Sequence, residues 1–367
     1  MPDLLTQAQL IEIVKAAHPP RPKLARPIVI IGAGGIVRSA HLPAYAKAGF
    51  PVIGIADPAP GKAAALAAEF DVPFSFTNTE EAVAFAPAEA VFDIAVPASQ
   101  LLNILPLLPV GAVVLMQKPM GETIEEARAI RDLCRARKFT AAVNFSLRYS
   151  PNNLAAVELY KHGCLGELSD MEVQTRTYTP WQLWSFLATA PRLEILYHSI
   201  HYLDLVRSWF GNPRGVYCKT VRNPQTPQLA PTRSAIVLDY GDAKRVFIAT
   251  NHSHDFGDRY QRSFAEWEGT GGAARITLGL NLDYPKGKQD TLEYAQRGDA
   301  EKIWHALPVS GENFPDAFIG TMGALQAFAE GSAATLPSHF EDAFQTMALV
   351  EACYRSSENG GEALTLE

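Results

Sequence analysis

Lys118 follows an apolar run of strand length and precedes Pro119 directly, a place where a lysine can do chemistry. Ligands of open parallel sheets bind beyond the carboxyl ends of the strands. Because a proline holds the preceding residue in an extended conformation, Pro119 aims the Lys118 ammonium. A partly buried lysine there can hydrogen-bond a substrate hydroxyl and stabilise the alkoxide character that grows during hydride loss. Lys118 is therefore a candidate catalytic residue, with an ordinary surface lysine as the alternative.

A second candidate group lies in the segment 194–204, whose pattern predicts a helix. Glu194, His198 and His201 share one face of that helix at spacings of four and three residues, and Asp204 continues it. A histidine can accept a hydroxyl proton near neutral pH. Two histidines and a glutamate can also hold a metal, and buried histidines can be purely structural. The spacing alone leaves these three interpretations open.

An apolar run at 28–31 leads into a glycine turn and then into a helical pattern. Gly32 allows the sharp turn, and Gly34 lets a diphosphate approach the backbone at the positive end of the new helix. A second apolar run, 52–56, ends at Asp57, whose carboxylate can accept the hydroxyls of an adenosine ribose. This order predicts a dinucleotide site. Its turn residues are Gly32, Gly34, Gly35, Ile36 and Val37.

Asp57 favours NAD over NADP, because its carboxylate would repel a 2′-phosphate and NADP sites usually place an arginine nearby. The four residues after Asp57 carry no cation, and the first cation is Lys62. Val37 stands where the third glycine of the fingerprint is expected, so we expect slightly looser packing of helix on strand there.

Composition describes an ordinary globular protein of 367 residues, with 47% hydrophobic and 19% charged residues. The formal net charge of −7 argues against a nucleic acid or an anionic membrane as the main partner. No apolar run is long enough to span a bilayer, and the N-terminus lacks the pattern of a signal peptide. The 4 cysteines are scattered without metal spacing, which indicates reduced thiols in a cytoplasm.

The sequence predicts three parts: an N-terminal arm at 1–25, a Rossmann domain at 26–148 and a second domain at 149–367. Alternating apolar strands and helices in the Rossmann domain predict a doubly wound parallel sheet. Polar–apolar alternation after residue 150 predicts an α+β domain with an open, mainly antiparallel sheet. Because little chain remains to cover that sheet, we expect its exposed face, with the arm, to form a homo-oligomer.

Weaker candidates surround these groups. Asn144 and Arg148 follow the sixth predicted strand, where they could contact the nicotinamide amide, a phosphate or the substrate. Trp181, with Trp184, could line a sugar pocket, and core packing explains them nearly as well. The alternating pair at 252 and 254 is interpreted as an interface or solvated feature of a sheet face.

These motifs together resemble the glucose-fructose oxidoreductase / inositol dehydrogenase / rhizopine-catabolism (Gfo/Idh/MocA) family over residues 26 to about 357. The glycine turn with Asp57, Asp93 to Pro97, Gln117-Lys118-Pro119 and 144–151 each match a family segment, and His201 to Asp204 matches the end of its second-domain signature. The resemblance implies a Rossmann domain joined to an open sheet, with homodimers or homotetramers formed through that sheet.

The resemblance also implies residue roles. Lys118 would be the catalytic lysine and His201 the acid–base histidine. Residue types and positions together predict further cofactor contacts from Val96, Pro97, Gln117, Lys118 and Asn144. They predict substrate contacts from Lys118, Arg148, Trp181, Tyr197, His198 and His201.

Three departures from the family pattern stand out. The signature aspartate falls at Tyr197 and its glycine at Ser199, Gln117 replaces a glutamate, and Leu101 stands where many members have a histidine. A substrate hydroxyl normally held by the missing aspartate must therefore be bound by Tyr197, His198 or Glu194.

These expectations add up to an NAD-dependent oxidoreductase that acts on a hydroxyl of a sugar, polyol or cyclic alcohol, without a metal. Two other functions are kept as alternatives: a glycosidase of the same family type that retains its NAD, and a non-catalytic NAD-binding regulator. The presence of both Lys118 and His201 argues against the regulator.

Overall fold

The structure is a computed structural model that describes residues 4–183, 185–284, 286–360 and 362–363. The chain forms two compact units. The first, here called the nucleotide unit, comprises Pro19–Tyr149 and Phe314–Met347. The second, here called the sheet unit, comprises Met1–His18, Ser150–Asn313 and Ala348–Glu367.

The nucleotide unit contains a parallel sheet of six strands in the order β3-β2-β1-β4-β5-β6. The strands are β1 (Ile28–Ile31), β2 (Val52–Ala56), β3 (Phe74–Phe76), β4 (Val91–Ile94), β5 (Val113–Met116) and β6 (Thr140–Val143). Strands β1, β4 and β5 are buried along their whole length, as expected for a parallel sheet covered by helices on both faces. The predicted doubly wound sheet is confirmed.

Helices connect these strands and include one that the sequence analysis does not predict. They are α2 (Leu42–Ala48), α3 (Lys62–Glu69), α4 (Thr79–Phe85), α5 (Leu101–Ile104) and α6 (Ile124–Ala136). Helix α4 is the unpredicted one. Its seven residues are too few for a clear helical period, but Asn78 caps it by accepting the backbone N–H of Glu81.

Helix α9 (Asp316–Ala329) groups with the nucleotide unit, although its sequence lies within the predicted second domain. Two glycines allow it to pack closely against that unit. A Cβ at Gly320 would lie 2.3 Å from the Tyr149 Cβ, and a Cβ at Gly323 would lie 2.1 Å from the Pro20 carbonyl oxygen. Glycine is therefore required at both contacts.

The sheet unit contains one sheet of nine strands in the order β14-β13-β12-β11-β7-β10-β9-β8-β15. Its described pairings are antiparallel except that of β10 with β7. The strands are β7 (Leu168–Arg176), β8 (Gly215–Val221), β9 (Arg233–Asp239), β10 (Arg245–Asn251), β11 (Arg262–Gly269), β12 (Gly272–Thr277), β13 (Thr291–Gln296), β14 (His305–Ala306) and β15 (Glu362–Ala363). The predicted open, mainly antiparallel sheet is confirmed, and β13, β14 and β15 extend it beyond the predicted strands.

The helices with residues in the sheet unit are α1 (Gln7–Ala16), α7 (Pro151–Lys161), α8 (Ile200–Phe210) and α10 (Phe340–Asn359), which begins in the nucleotide unit. Helix α1 belongs to the predicted arm and starts with a capping box formed by Thr6 and Gln9. Among the described helices, none is both long and apolar enough to cross a membrane.

Candidate active site

The glycine turn after β1 has the geometry that a diphosphate site needs. Gly32 has φ +107°, and a Cβ there would lie 2.4 Å from the Ala95 carbonyl oxygen, so only glycine fits. At Gly34 and Gly35 a Cβ would meet no atom within 4 Å. The backbone is therefore approachable at the two positions where the fingerprint places the diphosphate.

Asp57, at the end of β2, is tied to this turn. Its Oδ2 accepts the backbone N–H of Ala33 at 2.8 Å, and its Oδ1 accepts that of Ala59 at 2.9 Å. The Nζ of Lys62 lies 3.5 Å from Asp57 Oδ2. Lys62, the first cation after Asp57 in the sequence, is the first residue of α3, and the turn at 57–61 brings its ammonium beside the carboxylate.

The remaining turn residues lie where the fingerprint places them. Val37 is fully buried and starts a π turn, Val37–His41, before α2. A half-buried Val96 borders Gly32, where its Cγ1 would lie 3.3 Å from an added Cβ, and Pro97 is exposed beside it. The turn, its open backbone and Asp57 together fit the diphosphate and adenosine ribose of NAD.

Lys118 follows β5 in the same unit. Gln117 donates its backbone N–H to Ile94 at 2.9 Å, and its side-chain Oε1 accepts the N–H of Lys118 at 3.0 Å, which fixes the turn. The Lys118–Pro119 peptide bond is cis. Burial lowers the pKa of Lys118 to about 8. Its ammonium can therefore act either as a hydrogen-bond donor or, above that pH, as a neutral amine.

Asn144 and Arg148 are both buried and have protein partners. Asn144 Nδ2 lies 3.4 Å from His41 Nε2, and its Oδ1 accepts the Thr321 hydroxyl at 2.8 Å. Arg148 donates to the Pro337 carbonyl at 2.8 Å and to Asp342 Oδ2 at 2.6 Å. These bonds hold the end of β6 to the segment 314–347, a structural role that the sequence analysis does not predict.

In the sheet unit the predicted helix at 194–204 is not a regular α-helix throughout. Residues Ile195–Ser199 form a π turn, and α8 begins only at Ile200. A π turn pairs residues five apart, and Glu194 accordingly meets Ser199. Glu194 and Asp204 are fully buried, whereas His198 and His201 are only partly buried. The four residues therefore differ in exposure, and their sharing of one helical face stays a prediction.

Glu194 is a buried carboxylate with hydroxyl and imidazole partners. Ser199 Oγ donates to its Oε1 at 2.6 Å, and Ser234 Oγ donates to its Oε2. His252 Nε2 lies 3.6 Å from Oε1. Burial opposes ionisation, but His252 and the two hydroxyls outweigh it, so that the pKa of Glu194 is lowered. Both oxygens are engaged within the protein and Glu194 is fully buried, whereas His198 is partly exposed.

His252 is a buried histidine whose contacts are not predicted from the sequence. It is 1% exposed, so the interpretation as a solvated or interface feature is wrong; His254, at 3%, is also buried. Its ring centroid lies 4.2 Å from that of His198 and 5.5 Å from that of Trp181. Trp181 also contacts His198 edge-on, with centroids 5.1 Å apart. The structure thus brings Trp181, His198 and His252 together, while Trp184 lies outside the described residues.

Across the described part of the chain, no group of three or more His, Cys, Asp or Glu side chains could hold a metal ion. Tyr197 is 9% exposed and lies within the π turn beside His198.

The fold and the glycine turn define an NAD-binding oxidoreductase. Two models of one oxidoreductase family match the chain: the NAD-binding Rossmann fold over residues 26–145 and the C-terminal alpha/beta domain over residues 158–366. The chain belongs to this Gfo/Idh/MocA family, which confirms the predicted resemblance.

Individual relatives are distant in sequence. D-apiose dehydrogenase of Rhizobium rhizogenes is 22% identical over 252 residues, which cover 67% of this chain and 70% of the relative. An oxidoreductase from Agrobacterium radiobacter, solved with NAD+, L-tartaric acid and magnesium, has a TM-score of 0.76 at 18% identity and covers 93% of this chain and 99% of its own. Levoglucosan dehydrogenase, solved with NADH and levoglucosan, has a TM-score of 0.75 at 18% identity and covers 94% and 100%.

Proposed function

We propose that this protein is an NAD-dependent dehydrogenase that oxidises a hydroxyl of a sugar, polyol or related cyclic alcohol. The observation that carries the proposal is Lys118, which follows a strand of the NAD-binding unit and whose burial lowers its pKa to about 8. A lysine held in that state is suited to donate a hydrogen bond to a reacting oxygen. The named activities of the relatives, on D-apiose and levoglucosan, agree with this substrate class.

Two residues carry the proposed chemistry. Bound NAD supplies the hydride acceptor at C4 of its nicotinamide. Lys118 donates a hydrogen bond to the substrate hydroxyl and stabilises its alkoxide character as the C–H bond breaks. His201 accepts the hydroxyl proton, so that one proton and one hydride leave the substrate and a carbonyl remains. His198, Tyr197 and Trp181 bind the other groups of the ring.

The preference of NAD over NADP is a further part of the proposal. It rests on Asp57, whose carboxylate retains lone pairs for ribose hydroxyls beyond the two backbone bonds that it accepts. Lys62, 3.5 Å from Oδ2, reduces the repulsion of a 2′-phosphate, so we expect a preference and not an absolute exclusion.

We also propose a homodimer or homotetramer formed through the sheet unit. Tyr217, Val237 and Phe247 stand opposite one another on β8, β9 and β10, which makes an apolar row on one face of the sheet. Tyr217 is 64% exposed and Val237 41%. Such a row favours association with a second copy.

We also propose a cytoplasmic location. All four cysteines are free and buried, which suits a reducing compartment.

The test is an NAD-reduction screen with purified protein across aldoses, inositols and anhydrosugars. Accumulation of free NADH with one substrate class supports the proposal. Binding of NAD without turnover would favour the regulator, and release of an aglycone with retained cofactor would favour the glycosidase.

A further inference from the structure

The buried Glu194 faces His252, and the ring of His252 packs against the ring of the partly exposed His198. All three lie in the sheet unit, on three separate segments: the start of the π turn, the residue after β10 and the π turn itself. Because His252 is far from Glu194 and His198 in sequence, its contacts with both residues arise from the tertiary fold.

His252 has a hydrogen-bond partner at one ring nitrogen and a carboxylate neighbour near the other. Nδ1 lies 2.9 Å from the hydroxyl of Thr179, and Nε2 faces Glu194 Oε1 at 3.6 Å, a distance suited to charge attraction although long for a hydrogen bond. An ionised carboxylate can only accept, so Nε2 must carry a hydrogen. In the neutral ring Nδ1 then accepts the Thr179 hydroxyl. The partners thus select one tautomer of His252.

His198 receives its position from rings. The His252 ring lies 4.2 Å away with an interplanar angle of 58°, and the Trp181 ring lies 5.1 Å away at 77°. Because His252 is 1% exposed and Trp181 8%, neither ring has freedom to turn away. The His198 imidazole therefore packs against two buried rings, one of which faces Glu194.

We infer that Glu194 and His252 are positioning residues that fix the His198 imidazole for binding of a substrate hydroxyl. The inference rests on the dehydrogenase proposed above. It assigns the Glu194 carboxylate to the protein interior, so that the substrate meets the His198 imidazole instead of a carboxylate. The effect of Glu194 on the substrate passes through His252 and His198.

The first test needs no substrate. In protein labelled with 15N at histidine, side-chain NMR reports which nitrogen of each ring carries hydrogen, and His198→Gln and His252→Gln variants assign the two rings. We expect His252 to be protonated at Nε2. Glu194→Gln should change the His252 signals and also move those of His198. Glu158→Gln, which removes a carboxylate bound by Lys161 on α7, is the matched control and should move neither.

The second test uses the substrate found in the NAD-reduction screen. Glu194→Gln and His252→Gln should each raise KM for that substrate about tenfold while kcat changes less than about threefold, the size of effect expected when a supporting residue is lost. Because both act through His198, neither should raise KM further in a His198→Gln background. A residue needed only for folding would lower activity in either background.

The outcomes separate this inference from the proposed function. If the screen finds no substrate but Glu194→Gln moves the His198 signals, the positioning stands and the function fails. A His252 ring with hydrogen only at Nδ1, or His198 signals that Glu194→Gln leaves in place, would overturn the inference even in an active dehydrogenase. KM effects that persist in the His198→Gln background would overturn it as well.

Discussion

The Oδ2 atom of Asp57 accepts the backbone N–H of Ala33 at 2.8 Å, so the acid that should bind ribose also holds the glycine turn. One side chain thereby links the strand end of β2 to the first turn of the fingerprint. Removing the whole carboxyl group and removing only its charge are therefore different experiments.

For Asp57 we predict that asparagine and alanine substitutions separate these two roles. Asp57→Asn keeps an oxygen that can accept the Ala33 N–H but loses the charge, so the ratio of kcat/KM for NAD to that for NADP should fall with little change in thermal stability. Asp57→Ala should also lower this ratio. It should in addition lower the melting temperature, because it leaves the Ala33 N–H without its acceptor. A wild-type kcat/KM for NADP that equals or exceeds that for NAD would contradict the proposed preference.

Lys118→Met should abolish most activity while making the protein more stable. We expect turnover to fall by about a hundredfold or more, while fluorescence quenching shows that NADH still binds. The folded protein holds the Lys118 pKa at about 8, below its ordinary 10.5. Charging this lysine therefore opposes folding, and the variant should gain about 1–3 kcal/mol in the free energy of unfolding at pH 7.

The sign of the accompanying pH dependence follows from the same shift. Between about pH 8 and 10.5 the unfolded chain binds more protons at this lysine than the folded protein does, so wild-type stability rises through that range relative to the variant. Urea unfolding of both proteins should show the gain of Lys118→Met shrinking there. A variant that retains more than about a tenth of wild-type kcat would remove Lys118 from its catalytic role.

The rate of oxidation should fall above about pH 8, because the Lys118 ammonium is lost there. His201→Ala should lower kcat by about a hundredfold or more, the effect of losing a general base, and should leave this falling limb in place. A His201→Ala variant that retains more than about a tenth of wild-type kcat would move the base to His198 or Tyr197.

EDTA should leave the oxidation rate unchanged, because both proposed catalytic residues act without a metal. Activity that is lost to EDTA and restored by zinc would contradict this.

Light scattering should give a mass of two or four times the 40.0 kDa chain at micromolar concentration. Val237→Asp, which places a charge in the apolar row of the sheet, should shift that mass toward the single chain. Val110→Asp, at a more exposed valine of the nucleotide unit, is the control and should not. A wild-type mass near 40.0 kDa would count against the proposed assembly.

The sequence predicts the nucleotide unit well because its signals are local. Strands β1, β2 and β5 are short apolar runs, and a glycine turn follows β1 while an acid follows β2. The missed helix α4 and strand β14 are too short to show a period. The position of Lys62 beside Asp57 depends on the turn between β2 and α3, which spacing along the chain does not reveal.

The candidate site in the sheet unit is less predictable, for two physical reasons. The π turn Ile195–Ser199 brings Ser199 to Glu194, a contact between residues five apart that an α-helical wheel does not predict. The pairing of Glu194 with His252 joins residues far apart in sequence. In the sequence, the position of His252 directly after strand β10 is the only local indication of its role.

Transfer of deuterium from substrate to cofactor tests the central claim most directly. Purified protein is incubated with NAD and a substrate of the screen that carries deuterium at the carbon to be oxidised, and the cofactor product is analysed by mass spectrometry. We expect NADH that contains the deuterium, formed in equal amount to the oxidised sugar. Lys118→Met should form almost no labelled NADH. Sugar conversion without labelled NADH in solution, or no conversion of any substrate tested, would contradict it.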